Sequence, residues 1–185
     1  MLPIEFDRQV LSSPPPMDDV RTAGVIRLLD GIVARRILPH LGKKGVDAVT
    51  LARVSEKHKI VRLEDLKGRM STVSLLTHSL DGWTIHIHEL VFDYIAFGIP
   101  WDTTAPLESS APEGQKAMAF AEFLLRHEFE HMLRPQIDER MIIASDAEFA
   151  MDRREMEPDY YRTLKEALSD PMGGLKGSHY LTLLD

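Results

Sequence analysis

The chain of 185 residues contains no cysteine. A disulfide framework and a thiolate metal site are therefore both excluded, and any metal ion must be held by histidine, aspartate or glutamate. No segment approaches the apolar length needed to cross a bilayer, and the start, MLPIEFDRQV, has no basic stretch followed by an apolar run. Both absences predict a soluble, cytoplasmic protein. A basic stripe is also missing: the formal charge is -7, and the lysines and arginines are scattered among acids, which argues against nucleic-acid partners. What is present is 44% hydrophobic and 28% charged residues, a balance that predicts one globular domain over residues 1–185 with its own core.

Along the chain, the segment LSSPPP closes residues 1–16, and its consecutive prolines predict an extended arm. From Asp18 to about Pro39, apolar residues from Val20 to Ile37 recur at helical spacing, with Asp18 and Asp19 favourable at the N-terminus. Between Val46 and Val91 the runs AVTLARV, KIVRL, MSTVSLLTH and GWTIHIHEL are β-branched or alternating and predict strands. The SLDG segment joins the last two as a hairpin, with Gly82 free to take positive φ. A loop, GIPWDTTAPLESSA, fills residues 98–111, and Ser110-Ala-Pro-Glu113 has the spacing of a capping box that starts a helix running to about Arg134. A second helix is expected over about Asp138 to Glu157, then the amphipathic segment DYYRTLKEALSD and a tail over residues 172–185.

The first of these late helices contains FLLRHEFEHML, in which His127, Glu128 and His131 form His-Glu-x-x-His. On a helix, positions four apart are separated by about 40°, so the two imidazoles converge on one ion. Glu128 lies about 100° around from His127, placed to reach water on that ion and not to bind the ion itself. Zinc held by three protein ligands lowers the pKa of a bound water to about 7, and a neighbouring carboxylate serves as general base. Phe120 and Leu124 share the histidine stripe, which puts both rings on an apolar face, while Glu130 points elsewhere.

A third ligand is required, and the next helix offers Glu148, with Asp152 one turn later to orient a ligand histidine. The helix rise argues against that choice in a strict antiparallel hairpin. Glu148 would lie about 15 Å beyond a start at Asp138, whereas His131 precedes the turn by only about 6 Å. Glu139 and Asp146 are the alternatives.

HEFEH, followed by Glu148-Phe-Ala-Met-Asp152, resembles the zincin metallopeptidases, and within them the gluzincin group. The similarity covers about residues 113 to 157, and Met151 departs from the small residue usual in the second element. The resemblance implies an α+β, zincin-like fold: a backing helix, a small mixed sheet, an active-site helix and a glutamate helix. It also implies His127, His131 and Glu148 as ligands of one Zn2+, Glu128 as base, and Asp152 as the group behind a ligand. In such folds an edge strand receives an extended peptide substrate, and WTIHIHE supplies the candidate, with Ile85, His86, Ile87 and His88 as substrate-binding positions. An oxyanion donor is expected downstream of the glutamate helix, where His179 is preferred over Tyr180, Tyr160 and Tyr161.

The expected function is zinc-dependent hydrolysis of peptide or protein substrates. The alternative is a silent or latent protein that keeps the fold and metal, with residues 98–111 or 172–185 shielding the cleft. A di-iron protein, suggested by the Glu-x-x-His of Glu128 and His131, lacks the second such pair it needs.

Overall fold

A computed structural model of the chain describes residues 17–64, 74–97 and 112–169. The arm over 1–16, the loop over 98–111, the Ser110 capping position and the tail over 172–185, with His179 and Tyr180, lie outside them.

The architecture is α+β and mostly helical. Helix α1 (Asp19–Ile32) begins at Asp18, whose side chain accepts a hydrogen bond from the Arg21 amide at 2.7 Å. The apolar stripe of α1 continues through a π-helical turn (Val33–Ile37) into α2 (Leu38–Lys43), so the expected single helix changes its hydrogen-bond ladder without leaving helical backbone. Pro39 falls in the first turn of α2, where no intrahelical N–H is needed, and so does not end the helical path.

Helix α3 (Ala48–Lys57) corrects the strand expected over AVTLARV. Asp47 caps it, accepting from the Thr50 amide at 2.9 Å, and this cap decides a short segment whose β-branched content alone suggests a strand. Strands β1 (His58–Leu63), β2 (Ser74–Ser79) and β3 (Gly82–His88) form a mixed sheet of order β1-β3-β2. The pair β2–β3 is antiparallel, with Ser79 opposite Gly82, and β1–β3 is parallel. Gly82 has φ 137°, and a Cβ there would stand 2.1 Å from the Lys57 carbonyl oxygen, so the turn and the close backbone approach both require glycine.

The sheet order corrects a second expectation. β3 lies between two partners and has no open edge to offer a substrate. Ile85 and Ile87 face the core with 0% and 1% exposure, His88 is buried, and the Nε2 atom of His86 is 2.8 Å from the Thr77 hydroxyl. None of the four is placed as a substrate-binding residue by β-addition.

After β3 the chain enters α4 (Glu89–Phe97), a helix the strand pattern concealed because ELVFDYIAF is apolar nearly throughout. Then come α5 (Pro112–Leu133), α6 (Glu139–Met156) and α7 (Pro158–Ser169). Asp138 caps α6 by accepting from the Arg140 amide at 2.8 Å. Buried residues of α1 to α7 and of β1 and β3 form one hydrophobic cluster, with α5 through its middle. Among the described residues no helix is long and apolar enough to cross a membrane.

Candidate metal centre

Helix α5 is buried on every side from Ala119 to Glu130, and that stretch includes the ionisable residues Glu122, Arg126, His127, Glu128 and Glu130. Charged side chains tolerate such burial only when paired, so the partners of these five show how the helix is held.

The partners come largely from α6, which runs back along α5. His131 meets Glu139, His127 and Arg126 meet Asp146, and Glu122 meets Arg153. Each step toward the N-terminus of α5 is matched by a step toward the C-terminus of α6, which is the pattern of an antiparallel pair. Glu139 and Asp146 are seven positions apart and therefore lie within about 20° of each other on α6, both facing α5.

At the open end of this seam, the two oxygens of Glu139 divide between the rings: Oε1 is 3.5 Å from His127 Nε2, and Oε2 is 3.3 Å from His131 Nε2. One donor atom from each of the three residues lies within 4.8 Å of the other two, the one such cluster among the described residues. Two further features fit a cation. Ligands about 2.0–2.1 Å from a tetrahedral zinc are separated by about 3.3 Å, and the two histidine–Glu139 separations are 3.5 and 3.3 Å. His127 also turns its Nε2 toward Glu139 while its Nδ1 donates to Asp146 Oδ2 at 2.8 Å, the usual support for a ligand imidazole. Burial disfavours the charged form of His127, but the hydrogen bond and charge of Asp146, with Glu128 and Glu139 nearby, outweigh it and hold the ring's pKa above the ordinary histidine value.

Glu128 is 4% exposed and accepts a hydrogen bond from the Ser74 hydroxyl at 2.5 Å. It thus stands beside the histidines without joining their cluster, anchored to the first residue of β2. Asp146 is fully buried; its other oxygen is held by the Arg126 guanidinium, which also donates to Glu130 at 2.9 Å and to Ser145 at 2.5 Å. Glu130, expected to point away from the apolar face, is buried and accepts from Arg134 at 3.0 Å as well.

The structure brings Glu139, not Glu148, to the imidazoles. Glu148 follows Asp146 by about 200° around α6, is exposed, and lines an open cavity of about 550 Å³ with His40, Lys44 and Arg126. Asp152 is paired with Lys44 at 2.7 Å instead of supporting a ligand histidine. Of the expected oxyanion donors within the described residues, Tyr160 donates to Glu122 at 2.6 Å, and burial together with Glu122 holds its pKa well above the usual phenol value. Tyr161 is buried under the Arg154 guanidinium.

Sequence reasoning passed over Ser74 and Arg126, and it held Asp146 only as a reserve ligand. The recurrence of acids at Glu139 and Asp146, two turns apart, was a usable sign of a helix face turned toward the histidines. Ser74 carries no local sign, because its contact spans the fold. No protein-family model matches the chain, and no curated protein or solved structure is significantly similar to it.

Proposed function

We propose that the chain is a zinc-dependent peptidase with a zincin-like fold, in which His127, His131 and Glu139 hold the metal and Glu128 is the general base. The observation that carries this reading is the cluster of one donor atom each from His127, His131 and Glu139 within 4.8 Å of one another, one of whose imidazoles is backed by a buried aspartate. The order of backing helix, mixed sheet and two antiparallel helices supports the fold assignment.

When bound, the zinc supplies a Lewis acid that polarises a carbonyl and makes water acidic enough to react near neutral pH. The chain's own residues do the rest. Asp146 keeps His127 in one tautomer and orientation. Glu128, held by Ser74, takes a proton from the attacking water and returns it to the leaving amine. Edge strand β2 replaces β3 as the strand for an extended peptide: it has a partner on one side only among the described residues, and it starts at the base.

Glu128→Gln tests the reading. The variant is expected to bind about one zinc per chain, as the parent does, and to lose about 10²–10⁴-fold in turnover of a peptide library. Parental turnover in this variant refutes the assigned base.

A further inference from the structure

We propose that Arg126 is a positioning residue of the metal centre, fixing the Asp146 carboxylate that in turn fixes the His127 imidazole. The inference rests on the ligand set assigned above and adds to it a residue with no contact to the ion.

Arg126 and His127 are neighbours in sequence and diverge by about 100° around α5, yet both end on Asp146. The guanidinium Nη1 donates to Oδ1, and the imidazole Nδ1 donates to Oδ2 at 2.8 Å. Asp146 is fully buried, so no solvent competes for either oxygen. A carboxylate bonded only to the imidazole could swing about its side-chain torsions and carry the ring with it. With both oxygens engaged, its plane has one setting, and so has the ring that donates to it.

The guanidinium is itself immobilised. Its other end donates to Glu130 on α5 and Ser145 on α6, and it sits 5.2 Å from the centroid of the Phe149 ring. Arg126 is 2% exposed, with its charge offset by Asp146 and Glu130 together. A rigid planar fork suits this geometry, because one residue must span two carboxylates and a hydroxyl on two helices. The chain from α6 through Arg126 to Asp146 therefore transmits the packing of the helix pair to the orientation of one ligand.

The experiment compares zinc affinity, by competition with a chromophoric chelator, in the full-length parent, Arg126→Met, Asp146→Asn and the double variant. Thermal unfolding of each metal-free protein reports folding, and the visible spectrum of the cobalt-loaded proteins reports ligand geometry. Arg126→Met is expected to bind zinc about 10–100-fold more weakly than the parent and to alter the cobalt spectrum. Because it acts through Asp146, the double variant should be no weaker than Asp146→Asn alone. A folded Arg126→Met with parental affinity, or losses that multiply in the double variant, overturns the inference. Should Arg126→Met fail to fold, Arg126→Lys keeps the charge without the fork: about tenfold weaker zinc supports the proposal, and parental affinity overturns it. A parent that binds no zinc refutes the metal centre and this inference together, whereas a zinc-binding parent with insensitive variants refutes the inference alone.

Discussion

Asp146, with no exposed surface, accepts the Nδ1 proton of His127 at 2.8 Å and holds the protonated ring above its ordinary pKa. The metal-free protein should therefore be steadied by this pair below the unfolded histidine value of about 6.5, and lose that contribution as pH rises through the higher folded value. Zinc must displace the Nε2 proton of the charged ring, leaving the Nδ1 proton on Asp146, so its affinity should climb over the same rise. Urea unfolding of metal-free parent and Asp146→Asn across pH should show their stability gap widest on the acid side. A gap that widens toward alkaline pH contradicts the assignment.

The proposed centre takes Glu139 as its third ligand in place of the Glu148 expected of the downstream acidic element. Glu139→Ala should weaken zinc binding by more than the about 10–100-fold typical of a supporting residue, and Glu148→Ala should leave it unchanged. Chelator competition on both variants checks this. The reverse ranking would return the third ligand to Glu148.

Ser74 ties β2 to Glu128, the proposed base. Ser74→Ala should lower turnover about tenfold, equivalent to the roughly 1.4 kcal/mol that one hydrogen bond to a charged group supplies, with zinc affinity unaltered. Steady-state kinetics with equilibrium metal analysis separates the two effects. Unchanged turnover would mean that Glu128 keeps its place without the hydroxyl.

At the far end of the helix seam, the buried Glu122 carboxylate joins Arg36 at 2.9 Å, Arg153 at 3.0 Å and the Tyr160 hydroxyl. Glu122→Ala strands these donors and should cost about 3 kcal/mol in urea unfolding while leaving zinc affinity at the parental level. A loss below about 0.5 kcal/mol would show that solvent replaces the carboxylate.

Much of this was legible where local rules decide. Asp18 and Asp138 announced the starts of α1 and α6, Gly82 announced the hairpin, and the spacing of His127 and His131 announced that their rings share one helix face. Sequence rules misread α3 and α4 because short apolar or β-branched runs have no clear period, and the Asp47 cap that settles α3 is a single hydrogen bond. The central position of β3 followed from its return alongside β1 in parallel, which the pattern of β3 alone does not encode. The third ligand was lost to a familiar motif. The rise of an antiparallel helix pair already counted against Glu148 and left Glu139 and Asp146 open, and the pairing of His131 with Glu139 and of His127 with Asp146 divides the two.

The most direct test is a crystal structure of the zinc-loaded protein with anomalous difference maps recorded on both sides of the zinc absorption edge. The account predicts one peak about 2.0–2.2 Å from His127 Nε2, His131 Nε2 and a Glu139 oxygen, with Glu128 outside bonding distance. A peak bound by Glu148, or no peak between the two imidazoles, contradicts it.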